Sequence, residues 1–137
     1  MTELSEQQKQ LRIQQGIRQA EDNLVIDIQA ALDETEYGDL EESQFRNLVR
    51  VADTTDSREV IKNFLRYQVG RDKKWGRGNN SLASRLIRDI DTSLQDKAKA
   101  IARQAQTTNE KPIALELIRR YLGYGARYLK FKREGQS

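Results

Sequence analysis

The chain has 137 residues, 36% hydrophobic and 33% charged, with a net charge of +3 and neither cysteine nor histidine. That length supports one domain with a single modest core. The missing residue types exclude thiolate chemistry, histidine acid–base catalysis, disulfide scaffolds and ordinary structural zinc.

The chain reads as all-α, a compact bundle of about five helices spanning 1–137 as a single domain. The lone proline, Pro112, and the scarcity of Val/Thr alternation leave little room for strands. The first helix is expected over about 3–34, with Ile17, Ala20, Leu24, Ile28 and Ala31/Leu32 recurring in steps of three and four. Before Gly16 this stripe thins to Leu4, Leu11 and Ile13 among glutamines, so residues 1–15 read as an end that frays or is ordered by a partner. A loop centred on Tyr37-Gly38-Asp39 follows. The second helix runs from about 42 to 52 on Phe45, Leu48, Val49 and Ala52, and Asp53-Thr54-Thr55-Asp56-Ser57 breaks it.

Ser57 or Asp56 caps a third helix over about 58–70, with Val60, Ile61, Phe64, Leu65 and Gln68 as its stripe and Gly70 as its stop. Residues 70–80 form a loop. Ser81 caps a long fourth helix over about 82–106, whose stripe runs from Leu82 to Ala105. Pro112, at a first helical turn, opens the last helix, which extends to about Lys132. That helix is apolar on most sides, the pattern of a buried central helix. Tyr121, Tyr124 and Tyr128 read as core residues with hydroxyls at the rim. Gly123 and Gly125 lower helix propensity there and are expected to admit a neighbouring helix. Residues 134–137 read as a tail.

Charge is distributed unevenly. Residues 1–42 hold three basic side chains against eleven acids, whereas the remainder holds twenty-one against ten. An acidic third joined to a basic remainder suits a polyanion and also head-to-tail packing with a second copy. Equally, both parts could be solvated helix faces. The densest segment is 66–88, where Arg66, Arg71, Lys73, Lys74, Arg77, Arg85 and Arg88 stand against Asp72 alone. Gly76 and Gly78 would let backbone N–H groups approach a phosphate, and Trp75 would stack on a base or ribose. The alternative is that Trp75 folds back onto the bundle while the lysines stay in water. Elsewhere Arg46 and Arg50 lie four apart, and Arg58, Lys62 and Arg66 extend over two turns. Like charges at that spacing repel, a cost that an external polyanion reverses by releasing counterions. Glu59 within reach of Lys62, and Asp91 within reach of Arg88, are the competing internal partners.

Signatures of catalysis are missing: the sequence has no G-x-S-x-G, P-loop, G-x-G-x-x-G or H-E-x-x-H. Asp89 and Asp91 point to different helix faces at their spacing, and Asp89 is the natural partner of Arg85 one turn earlier. No enzyme activity, cofactor or metal is expected. The opening MTELSEQQKQ is polar and acidic rather than a signal sequence, and no apolar run approaches the ~20 residues of a membrane span. A cytoplasmic protein without membrane contact is the expectation.

Three segments carry a resemblance to a known family: Ser43-Gln44-Phe45-Arg46 opening a helix after an acidic loop, Phe64-Leu65-Arg66-Tyr67-Gln68-Val69-Gly70-Arg71, and the terminal Tyr128-Leu129-Lys130-Phe131. Over about residues 40–133 the chain resembles the small helical subunit of type III CRISPR effector complexes, nearest to the Csm-type assemblies. The glutamine-rich first helix and the Trp75-Gly76-Arg77-Gly78 loop depart from the family pattern. The resemblance implies a non-catalytic subunit of an antiviral ribonucleoprotein. Such a subunit would stack with copies of itself beside the guide RNA and target RNA, and would contact other effector subunits. By that likeness Arg46, Arg66 and Arg71 would face nucleic acid. Arg50, Lys62, Lys73, Lys74, Trp75, Arg77 and Arg85 rest on local chemistry alone. The competing expectation is a protein–protein adaptor that docks through its polar first helix. A weaker third is a carboxylate–metal nuclease.

Overall fold

The structure, a computed structural model, describes residues 3–135. It is an all-α bundle of six helices: α1 (Glu6–Glu34), α2 (Glu42–Thr54), α3 (Arg58–Arg71), α4 (Leu82–Asp91), α5 (Ser93–Gln104) and α6 (Lys111–Lys130). A π-helical turn, Phe131–Gly135, continues α6. Among the described residues the only β pairing is an isolated bridge between Glu36 and Ser81. No helix among them is long and apolar enough to cross a membrane.

α6 is the central helix, packed against α1, α2 and α5. Its buried positions run from Ile113 to Leu129 and include Leu117, Ile118, Tyr121 and Leu122. Burial on most sides is what a helix apolar nearly all round requires. Pro112 stands in its first turn, where the missing N–H costs no hydrogen bond. Gly125 is the contact point of three helices: a Cβ there would lie 2.7 Å from Phe45 Cζ and 2.8 Å from Ile28 Cγ1. Gly123, two residues earlier, faces open space instead, so only one of the two glycines admits a neighbour.

Four boundaries differ from expectation. α1 begins at Glu6, and residues 6–15 are regular helix. Ser5 Oγ accepts from the Gln8 N–H and Gln8 Oε1 accepts from the Ser5 N–H, a reciprocal capping box that satisfies two orphan donors. Met1 and Thr2, part of the expected frayed end, lie outside the described residues. The long fourth helix divides at Thr92, whose backbone (φ −120°, ψ −81°) is not helical. Its hydroxyl donates to the Arg88 carbonyl, and the Gln95 amide reaches back to the Ile90 carbonyl. Side chains thus take over hydrogen bonding at the interruption. Gly70 does not stop α3; it lies inside the last turn, and Asp72 is the C-cap. In the expected tail, Glu134 and Gly135 belong to the π-helical turn, and Gln136 and Ser137 lie outside the described residues.

The acidic first helix is largely matched inside the chain. Glu21 pairs with Arg120, Asp27 with Lys97, Asp33 with Lys132 and Glu34 with Arg85. Much of the charge asymmetry along the sequence is therefore closed within one molecule, helix to helix.

Candidate nucleic-acid interface

The 72–81 loop is held tightly at its base. The Glu36 N–H donates to the Asn80 carbonyl, the Leu82 N–H to the Glu36 carbonyl, and the Gly38 N–H to the Lys74 carbonyl. It is thereby clasped to the loop between α1 and α2. Asp72 Oδ1 accepts from the Lys74 N–H and turns the chain out of α3. The other face of the clasp is closed by Arg133, which donates to the carbonyls of Gly38 and Leu40.

Trp75 points into the core and is 1% exposed, with its ring 5.4 Å from that of Phe45. The expectation that it stacks on a base is corrected: the ring has no face to offer. Hydrophobic burial of the largest side chain outweighs whatever an exposed loop would gain from it. The phosphate-cradling role expected of Gly76 fails for a related reason. Its N–H donates to the Lys73 carbonyl, and it is buried with φ +79°. A Cβ there would lie 2.2 Å from the Glu36 carbonyl oxygen, so glycine is needed for loop to meet loop. The tryptophan and the first glycine are the anchor that fixes the loop, leaving the cations outside.

Lys62 is also corrected as a nucleic-acid contact. It is 6% exposed, and its amino group bonds Asp91 at 2.9 Å and Glu59 at 2.8 Å. The hydrogen bonds it donates to Glu59 and Asp91 hold its pKa above the ordinary 10.5. Asp91 serves Lys62 and Arg58, and leaves Arg88 without the internal partner expected for it. Arg85 is engaged as well, 3.4 Å from Asp89 and 3.5 Å from Glu34. Asp89 is buried and accepts a 2.6 Å hydrogen bond from Tyr121, whose hydroxyl is pushed far above its ordinary pKa of 10 by burial and by that carboxylate. This trio, with Asp89 and Tyr121 buried and Arg85 at the rim, ties α4 to α6 and is structural. Arg46 is exposed but forked onto Glu42 at 2.8 Å, and Arg50 donates to Asn47.

The rest of the basic set is different. Arg66 and Arg71 of α3, Lys73, Lys74 and Arg77 of the loop, and Arg88 of α4 have no ion-pair or hydrogen-bond partner for their charged groups among the described residues. All but the half-buried Lys74 are exposed. Arg66 lines one side of a shallow groove between α3 and α4, with Val69, Gly78, Ser81, Ser84 and Ile87 along it. Arg88 follows one turn after Ser84. Six free cations thus lie in the second half of α3, the loop that follows it and α4. No group of three or more acidic residues suited to a metal ion occurs among the described residues.

One exposed residue of α3 escapes a reading by composition. Tyr67 is 62% exposed, on the outward side of α3 between Arg66 and Arg71. The signal in the sequence is its position off the stripe formed by Ile61, Leu65 and Gln68, at one helical turn from Arg71.

No family model, no curated protein and no solved structure matches this chain.

Proposed function

We propose that this protein is a non-catalytic, sequence-independent RNA-binding subunit of a ribonucleoprotein. The observation that carries this reading is the set of six unpartnered cations, Arg66, Arg71, Lys73, Lys74, Arg77 and Arg88, gathered in one segment of a chain whose other cations are mostly paired internally. Cations left free on a rigid surface release counterions when they meet phosphates, which gives affinity without base recognition. Affinity would come from the phosphate backbone and would not depend on the base sequence.

The finer assignment follows the resemblance of residues 40–133. It makes the chain the small subunit of a type III CRISPR effector in the cytoplasm, stabilising guide and target RNA alongside other subunits and further copies of itself. Stacking would use the acids that remain outward, such as Asp22 and Asp39, because the rest of α1 is largely matched internally.

The test is RNA affinity as a function of salt, measured for the wild type and for Arg66→Ala/Arg71→Ala. Removing one cation that neutralises a phosphate should reduce the log–log slope by about 0.7 on a single strand. A slope reduced by about 1.4 in the double variant supports the reading. No RNA binding at low salt, alone or in the complex purified from native cells, sinks it and leaves the adaptor.

A further inference from the structure

We infer that Tyr67 is a base-stacking residue and that the strand taken by this face is single-stranded, with unpaired bases. This rests on the reading of the face as an RNA-binding surface and names the form of RNA it takes.

The core-facing side of α3 carries Ile61, Lys62 and Leu65, all buried. Its opposite side carries Val60, at 47% exposure, and Tyr67, at 62%. Arg71 lies one helical turn after Tyr67 on the same side of α3, and Arg66, its neighbour in sequence, stands about 100° round the helix on the groove side. Gly70, between them, has nothing within 4 Å of where a Cβ would stand, so no side chain walls off the ring on that side. Trp75, Tyr121 and Phe45 are fully buried, and Phe131, 49% exposed, still packs against the Tyr128 ring, whereas Tyr67 meets no aromatic ring among the described residues. The Tyr67 hydroxyl has no hydrogen-bond partner among the described residues, so nothing internal holds the ring in place.

An exposed ring with a free guanidinium next to it in sequence and another one helical turn on matches a polymer that alternates phosphate and base. The cations take two phosphates, and the ring takes the π-face of the base between them. A base inside a duplex is already stacked on both sides and cannot offer that face. The geometry therefore favours unpaired bases over the shape recognition that suffices for a duplex. An acidic protein surface would satisfy the same cations. Val60 and Tyr67 alone, however, form too little apolar surface for the desolvated core of a specific protein interface, which buries about 800 Å² per partner.

The experiment is fluorescence anisotropy of the folded full-length chain with three labelled probes: an oligouridine, an abasic strand of the same length, and a blunt RNA duplex. Tyr67→Ala is expected to weaken oligouridine binding about fivefold or more, and Tyr67→Trp to preserve or strengthen it. The abasic strand and the duplex should bind the wild type and Tyr67→Ala alike. The salt slope on oligouridine should stay the same in Tyr67→Ala, because every cation that meets a phosphate is still present. Unchanged oligouridine affinity in Tyr67→Ala overturns the stacking role while leaving the cationic reading intact. So does an equal loss on all three probes. A wild type that binds none of them overturns both. Circular dichroism of Tyr67→Ala should match the wild type, since the ring supports no packing.

Discussion

Truncating Trp75 tests whether the basic loop is anchored or free. The side chain is the largest in the core and 1% exposed, so Trp75→Ala removes about 150–250 Å² of buried aromatic surface. At about 25 cal/mol per Å² that is about 4–6 kcal/mol, of which alanine recovers a little. Core substitutions of this size cost about 3–5 kcal/mol in practice, a large share of the roughly 5–15 kcal/mol of a whole domain. The same step removes the ring that stacks 5.4 Å from Phe45. Urea unfolding followed by far-UV circular dichroism measures the loss, since the variant no longer carries the only tryptophan. Trp75→Phe is the companion: it keeps a buried ring, should fold at a smaller cost, and should bind RNA like the wild type. In the wild type, acrylamide should quench the tryptophan poorly, and RNA should leave its emission unchanged. Two results would refute the reasoning. One is Trp75→Ala unfolding with less than about 1 kcal/mol of lost stability. The other is Trp75→Phe retaining its stability but losing RNA affinity.

The two glycines of α6 should respond with opposite signs to the same substitution. Gly125→Ala drives a methyl to within 3 Å of Phe45 and Ile28 and should cost about 1–3 kcal/mol, whereas Gly123→Ala meets nothing and should gain about 0.5–1 kcal/mol from helix propensity. Equal effects in thermal unfolding would show that the α1–α2–α6 junction is looser than its geometry. For Lys62 the folded pKa is raised above 10.5 by Glu59 and Asp91. The resulting stability is complete below about 10.5 and is lost as the pH climbs through the raised folded value. Lys62→Met should cost about 1–3 kcal/mol at neutral pH by leaving Asp91 with Arg58 alone. It should then lose less stability than the wild type on going to alkaline pH. Parallel stability–pH curves above 10.5 would remove this ion pair from the balance.

Much of the local architecture is legible in the order of residues. Apolar spacing places the helices, and Ser57, Ser81 and Pro112 mark starts that the structure keeps, because caps and first-turn prolines act on backbone groups a few residues away. The capping box at Ser5 and Gln8 is equally readable, and it outweighs the thin apolar pattern of residues 6–15. The interruption at Thr92 has a local cause too, in a threonine hydroxyl that bonds back to Arg88.

The fate of each cation and of Trp75 is not legible in the same way. Lys62 and Arg66 lie four residues apart on one helix with similar neighbours, yet one is buried on Asp91, twenty-nine residues away, and the other is free. Helical spacing alone favours Asp91 as the partner of Arg88; the break at Thr92 and the packing of α4 on α3 give it to Lys62. Trp75, expected as a stacking ring in an exposed loop, is inside, and the ring that meets solvent is Tyr67. By itself, then, the order of residues determined an all-α chain, the apolar character of its last helix and a basic segment at 66–88. Only the tertiary structure decided which of those charges are already neutralised and which aromatic ring meets solvent. The reason is that a side chain's partner is set by whatever the packed helices bring within about 4 Å of it. That distance is fixed by packing between residues far apart in the chain.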